Sequence, residues 1–304
     1  GEERSAEIRL RRAFVSPRTR LLKRFAVAPQ GMRFLLDVRS ELLPQLKTDK
    51  RLVALDAELE GLFSTWFDLA FLELRRISWD SPASLIEKLI LYEAVHDIRS
   101  WADVKNRLDS DRRCYGFFHP NLPDEPLIFI EAAFTQTIAD SITPLLDEDA
   151  APVNPASSST AIFYSISNTQ RGLRGVSFGD SLIKRVVETL QQEFPKLRHF
   201  ATLSPIPGLR GWLGKNAAGL LDKLDDKERL ELGQALGSTP PSTASLLAAL
   251  ESPLALPASS PVRQMLLRCA AHYLAKGWSD GKPLDAVARF HLGNGARVER
   301  LNWG

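Results

Sequence analysis

Two short segments carry the side chains best suited to acid–base chemistry. One is SPIPG, beginning at Ser204, and the other is FHLGNG, with His291 at its second position. A histidine beside a glycine turn can exchange a proton near neutral pH, and two prolines would hold the serine in a rigid backbone. The segments therefore suggest Ser204 and His291 as catalytic candidates. Read without further context, a serine such as Ser204 is more often a turn or cap residue, and a lone histidine such as His291 is more often structural.

A glycine- and arginine-rich loop, TQRGLRGVSFG at residues 169–179, follows an apolar run and precedes a helical pattern. Successive backbone N–H groups and the positive end of a helix dipole together bind diphosphates. The loop therefore predicts an anion site rather than a plain structural turn. The candidate binding residues are Arg171, Arg174, Gly175, Val176, Ser177, Phe178 and Gly179. Alternatively, the side chains of Arg171 and Arg174 lie in a solvated loop and bind no anion.

The same loop also spells Gly-x-Ser-x-Gly around Ser177, the nucleophile elbow of α/β-hydrolases, and Asp285 and His291 follow in the triad order. An elbow requires the strand to run directly into the turn. Here residues 169–174 intervene, and no series of βα units precedes them. We therefore reject a hydrolase triad.

Composition excludes several classes of protein. The 304 residues are 44% hydrophobic and 25% charged with a net charge of +2, which is typical of a globular protein and shows no bias toward nucleic acid. No apolar run approaches the roughly 18 residues of a membrane span.

Cys114 and Cys269 are predicted to be buried thiols in a reducing compartment. The spacing of the five histidines predicts no metal site. The chain lacks an initiating Met and stops inside what reads as a strand, so we expect further residues at both ends.

The spacing of apolar residues predicts which helices and strands carry these segments. Residues 1–108 read as all helix, a bundle for packing or self-association. Apolar runs at 127–134, 161–168 and 199–203 predict strands, and 182–194 predicts an amphipathic helix. Residues 209–261 read as a helical insertion. Residues 286–291 and 297–303 are expected to form two strands, joined by a Gly-Asn-Gly hairpin turn.

The loop resembles the acyl-CoA signature of the Gcn5-related acetyltransferases, Arg/Gln-x-x-Gly-x-Gly/Ala between a strand and a helix, except that Ser177 stands where Gly is usual. In that fold the two strands that flank the helix splay apart, and the acyl-pantetheine arm enters the gap. The resemblance implies that the bound anion belongs to coenzyme A and that Ser204 lies beside the thioester.

Further segments, in the same order along the chain, resemble the malonyl-CoA decarboxylase family. They are RCY at 113–115, EPL at 125–127, IFYSIS at 162–167, QxGLxGV at 170–176, LSPIPG at 203–208 and FHLxNGA at 290–296. The resemblance extends from residue 33 to residue 303. The family's catalytic Ser and His correspond to Ser204 and His291. Eukaryotic members carry Glu where Ser177 stands, so no role of that Glu is transferred.

This resemblance implies an α+β protein. An all-helical domain, 1–110, would mediate packing or oligomerisation, and an acetyltransferase-like mixed-sheet domain, 111–304, would contain the helical insertion at about 209–261. The implied activity is decarboxylation of malonyl-CoA to acetyl-CoA, with no resident cofactor because coenzyme A is part of the substrate. We expect a cytoplasmic homo-oligomer with no nucleic-acid or membrane partner. Two alternatives stay open, an acetyl-CoA-dependent N-acetyltransferase and a non-catalytic acyl-CoA-binding regulator.

Overall fold

A computed structural model describes residues 4–5, 16–176, 178 and 181–304. The chain forms two compact units, the first comprising Gly1–Ile138 with Leu146–Thr202 and the second Ala139–Leu145 with Leu203–Gly304. Helices and a mixed sheet are both present, so the predicted α+β class is confirmed. The domain limit predicted at residue 110 remains a prediction.

The first unit contains most of the regular structure that precedes residue 203. Its helices are α1 (Pro17–Val27), α2 (Gly31–Gln45), α3 (Val53–Trp66), α4 (Ala83–Tyr92), α5 (Trp101–Arg107) and α6 (Leu182–Glu193). Its strands are β1 (Glu73–Ile77), β2 (Arg112–His119), β3 (Leu122–Thr135), β4 (Thr160–Asn168) and β5 (His199–Thr202). The strands predicted at 127–134, 161–168 and 199–203 and the helix predicted at 182–194 are therefore confirmed, with shifted ends.

The five strands form one sheet in the order β1-β2-β3-β4-β5. Neighbours are antiparallel except β4 and β5, which pair in parallel across the connection that carries the glycine loop and α6. The all-helical interpretation of residues 1–108 is wrong at β1. Apolar residues there, such as Leu74, also match a helical spacing, but pairing with β2 supplies the backbone hydrogen bonds and buries Ile77.

One face of the sheet and the helices α2, α3 and α6 share a single hydrophobic core. Its members include Leu36 on α2, Phe63 on α3, Phe117 on β2, Ile130 on β3 and Val186 on α6, and each is almost fully buried. Burial of this apolar surface is the main driving force that holds the helices against the sheet. The segment 169–181, which connects β4 to α6, is thus anchored at both ends in one core.

Charged residues are buried elsewhere in the same unit. The guanidinium of Arg107 bonds Asp103 Oδ1 at 2.7 Å and Glu131 Oε2 at 2.9 Å. Burial raises the pKa of Glu131 to about 8, although the attraction of Arg107 opposes this rise. A buried guanidinium of this kind is tolerated in a protein interior because its hydrogen-bond partners compensate for its lost hydration.

The second unit is mostly helical. Its elements are α7 (Leu209–Leu221), α8 (Asp226–Leu236), α9 (Thr243–Ala249), α10 (Pro261–Lys276), β6 (Trp278–Ser279), β7 (Lys282–Pro283) and α11 (Ala286–Gly293). The core of α7, α9 and α10 includes Leu213, Leu246 and Cys269. The helical character predicted for 209–261 is confirmed. No helix in the described ranges is both long and apolar enough to cross a lipid bilayer.

Two of the predicted strands are wrong. Residues 286–291 belong to α11, and residues 297–303, all described, form no strand. Short apolar runs cannot be assigned to helix or strand by periodicity alone, and here Asp285 caps a helix. The hairpin lies instead at β6 and β7, where Asp280 and Gly281 adopt positive φ values of 52° and 72°.

Candidate active site

Ser204 and His291, the two catalytic candidates, contact each other directly. Ser204 Oγ lies 3.0 Å from His291 Nε2, although the residues are 87 positions apart in the chain. The distance is that of a hydrogen bond, in which either atom can donate, depending on which ring nitrogen carries the proton. Both residues belong to the second unit. The fold therefore brings together the serine and the histidine that the sequence indicated.

The environment of the pair favours a neutral imidazole. Burial lowers the pKa of His291 below its ordinary value. The ring packs against Phe290 with the centroids 5.1 Å apart. Its Nδ1 is buried and has no hydrogen-bond partner among the described residues. Ser204 is exposed, so its hydroxyl is accessible to a ligand. The same hydroxyl contacts the imidazole through Nε2.

Asp285 connects the two segments that carry the pair. Its Oδ1 accepts hydrogen bonds from the N–H groups of Val287 and Ala288, at 3.1 and 3.0 Å, and so caps α11, the helix of His291. Its Oδ2 accepts from the N–H of Gly208, at 3.0 Å, in the SPIPG turn that begins at Ser204. Asp285 is 3% exposed.

This role was not predicted. An Asp directly before an apolar run is an N-cap signal, but it was missed because 286–291 was read as a strand. The carboxylate binds backbone N–H groups rather than His291 Nδ1, so a hydrolase triad finds no support here, in agreement with the rejection from sequence.

We expect Asp285→Ala to lower both stability and turnover. Loss of the cap should lower the free energy of unfolding by about 1 kcal/mol, since N-cap removal typically has that effect. Turnover should fall about tenfold, because a displacement of under 1 Å between paired groups is enough for such a loss. Thermal unfolding and steady-state kinetics on the same preparations measure the two effects.

Asp225 offers a matched control, since it caps α8 in the same unit through a capping box and contacts neither Ser204 nor His291. Asp225→Ala should lower stability to a similar extent and leave turnover unchanged. Equal losses of turnover in the two variants would show that Asp285 acts only through general stability.

The glycine loop belongs to the first unit and contains a tight turn. Residues Arg171–Leu173 form one turn of 3₁₀ helix, and the N–H of Val176 then donates to the carbonyl of Leu173 at 3.0 Å. Gly175 has φ +84°, a left-handed conformation that glycine adopts without steric cost. The backbone thus reverses direction at Gly175, the first glycine of the predicted Gly-x-Ser-x-Gly run.

The predicted binding residues divide into two groups. Arg171, Arg174 and Gly175 are exposed, whereas Val176 and Phe178 are buried in the hydrophobic core. The exposed three are able to contact an anion, and the buried two anchor the loop. Ser177 and Gly179 lie outside the described residues. Because the loop and the Ser204–His291 pair belong to different units, their joint use remains a prediction.

Other sequence predictions concern groups outside the pair. Cys114 and Cys269 are buried free thiols, as predicted, and burial raises the pKa of both. Within the described ranges, no three His, Cys, Asp or Glu side chains are grouped so that they could hold a metal ion.

Comparison with protein-family models matches nearly the whole chain. Residues 1–67 match the malonyl-CoA decarboxylase N-terminal domain, and residues 70–304 match the malonyl-CoA decarboxylase C-terminal domain.

Curated relatives include the mitochondrial malonyl-CoA decarboxylases of Anser anser anser and Rattus norvegicus, each 36% identical. The alignments cover 96% and 98% of this chain but only 61% and 63% of the relatives, so the chain spans less than two thirds of their length.

Two solved structures are similar over most of this chain. The malonyl-CoA decarboxylase of Cupriavidus metallidurans is 49% identical with a TM-score of 0.80, and the alignment covers 94% of this chain and 70% of that one. The malonyl-CoA decarboxylase of Agrobacterium vitis is 42% identical with a TM-score of 0.82, covering 98% of this chain and 70% of that one.

Proposed function

Because this chain belongs to the malonyl-CoA decarboxylase family, we propose that it converts malonyl-CoA to acetyl-CoA and CO2. The observation that carries the proposal is the 3.0 Å contact between Ser204 Oγ and His291 Nε2. Such a pair supplies a proton donor for C2 and a hydroxyl that can bind the malonyl carboxylate. It also favours an enzyme over a regulator that only binds acyl-CoA.

The proposed chemistry starts with the thioester carbonyl. When the bond between C2 and the carboxylate carbon breaks, its electron pair moves onto C2 and is delocalised into the thioester carbonyl as an enolate. The carboxylate must first lie out of the thioester plane, so that the breaking bond overlaps with the carbonyl. The substrate thus accepts the electrons itself, and the proposal includes no metal and no resident cofactor, since coenzyme A is part of the substrate.

In this proposal His291 protonates C2. The free imidazole is neutral because burial lowers its pKa. A malonyl carboxylate placed beside it favours the protonated form, because an opposite charge raises the pKa of a histidine. As the carboxylate leaves as CO2, the Nε2 proton passes to C2 and the imidazole becomes neutral again. The acid therefore becomes charged only when substrate is present.

Ser204 has two parts in the same step. Until C2 accepts the Nε2 proton, the serine oxygen accepts the hydrogen bond from it and so orients the imidazole. The serine hydroxyl then donates a hydrogen bond to the malonyl carboxylate, which can reach it because Ser204 is exposed. Positioning of this kind lowers the barrier by removing the need to orient the groups during the reaction.

The test is incubation of the purified chain with malonyl-CoA, followed by chromatography of the acyl-CoA products and measurement of released CO2. Equal amounts of acetyl-CoA and CO2 support the proposal. Acetyl transfer to an added amine, without CO2, would instead indicate an N-acetyltransferase. Binding of malonyl-CoA that leaves it intact would indicate a regulator, and either result overturns the proposal.

The proposal extends to assembly and location. A homo-oligomer formed through the helical region is supported by an exposed apolar surface on α1 and α2, where the Phe25 and Phe34 rings lie 5.5 Å apart and Val27 is 83% exposed. Light scattering on the purified chain measures the number of subunits. A cytoplasmic location also remains a proposal, since the curated animal relatives are named as mitochondrial.

A further inference from the structure

Arg39 on α2 is 1% exposed, and its guanidinium bonds the backbone of the glycine loop. Its Nη1 donates to the carbonyl oxygens of Gly172, at 2.8 Å, and Arg174, at 2.9 Å. The other nitrogens bond carboxylates on α3, Nε to Asp56 at 2.8 Å and Nη2 to Glu60 at 3.2 Å. A buried guanidinium is tolerated only when its donors are paired. Arg39 therefore ties two helices to the loop.

The bond to Arg174 determines the orientation of one peptide group. Arg174 has φ −58° and ψ 126°, and Gly175 has φ +84°. With the bond from Val176 N–H to the Leu173 carbonyl, these values define a type II turn. In a trans peptide the C=O and the next N–H point in opposite directions. Holding the Arg174 carbonyl toward Arg39 thus directs the Gly175 N–H away from it.

The helix α2 meets the loop at two further positions. A Cβ at Gly172 would come within 2.2 Å of the Leu36 carbonyl oxygen, so backbone lies directly on backbone there. Arg33 Nη1 donates to the side-chain oxygen of Gln170 at 2.6 Å. Residues 33, 36 and 39 recur every three positions and so share one face of α2. This whole face supports the loop.

We propose that Arg39 is a positioning residue for the diphosphate of the acyl-CoA substrate. It holds the peptide between Arg174 and Gly175 in the orientation that presents the Gly175 N–H as an anion donor. The inference rests on the proposed function, because it assumes that the loop binds coenzyme A. It also assigns the N-terminal helices a part in substrate binding, beyond packing or self-association.

The test compares two substrates in the Arg39→Lys variant. A lysine keeps the charge, but its single nitrogen cannot bond two carbonyls and two carboxylates at once. The KM for malonyl-CoA should rise about tenfold, as expected for loss of a charged hydrogen bond, with kcat changed less than about twofold. Malonyl-pantetheine lacks the diphosphate, so its kcat/KM should equal that of the wild type.

Arg18→Lys is the matched control, because Arg18 pairs with Glu58 on α3 and makes no contact with the described residues of the loop. This variant should have the wild-type kcat/KM for both malonyl-CoA and malonyl-pantetheine. If Arg39→Lys reduces kcat/KM equally for both substrates, or for neither while the wild type remains active, the inference is overturned. An inactive wild type would instead refute the proposed function.

A second variant covers the case in which Arg39→Lys does not fold, as judged by thermal unfolding. Gly172→Ala forces the loop away from α2 without changing any charge. It should raise the KM for malonyl-CoA severalfold and leave malonyl-pantetheine unaffected. An unchanged KM in this folded variant would count equally against the inference.

Discussion

Replacement of His291 by alanine is expected to lower turnover of malonyl-CoA by at least about a hundredfold. Removal of a general acid typically slows a step by about 10²–10⁴-fold, and here the acid also forms the 3.0 Å hydrogen bond that positions Ser204. The KM should change little, because the imidazole is proposed to act on the acyl group and the glycine loop to bind the nucleotide. Steady-state rates of acetyl-CoA formation measure both constants.

His272→Ala is a suitable control, since this histidine lies in the same unit and its ring packs against Trp212, with the centroids 5.9 Å apart. It should retain full turnover if it folds. Added imidazole should restore part of the turnover of His291→Ala and should not change that of His272→Ala. If His291→Ala retained wild-type turnover, protonation of C2 by this residue would be excluded.

The Ser204→Ala variant should also lose about 10²–10³-fold in turnover, the range found when one donor to a reacting oxygen is removed. The serine hydroxyl is proposed both to orient Nε2 and to bind the malonyl carboxylate. Since Ser204 and His291 are proposed to act as a unit in one step, Ser204→Ala combined with His291→Ala should be little slower than either single variant. Single-turnover rates of the three variants give the coupling.

Ser238→Ala tests whether loss of any serine hydroxyl in this unit matters, because the Ser238 hydroxyl donates only to the Pro240 carbonyl oxygen, at 3.1 Å, among the described residues. Its turnover should equal that of the wild type. Strictly multiplicative losses in the double variant would mean that Ser204 and His291 act independently, contrary to the proposed step.

Sequence reasoning was accurate wherever local signals agreed with the final fold. The apolar run at 161–168 became β4, because it has the length of a strand and lies between turn-forming segments. The amphipathic pattern at 182–194 became α6, because its apolar face repeats over three helical turns. It was wrong at β1 and at 286–291. Five- and six-residue segments suit helix or strand equally, and long-range pairing or a cap decides between them.

The amino-acid sequence alone determined the residue types that can do the chemistry, the glycine loop and the α+β class, because these depend on local pattern and on segments read in order. Only the tertiary structure decided that Ser204 and His291 touch, that Asp285 bonds both of their segments, and that Arg39 bonds the backbone of the glycine loop. Each of these contacts joins residues far apart in the chain. Their distance depends on how helices and strands pack, and no local spacing encodes it.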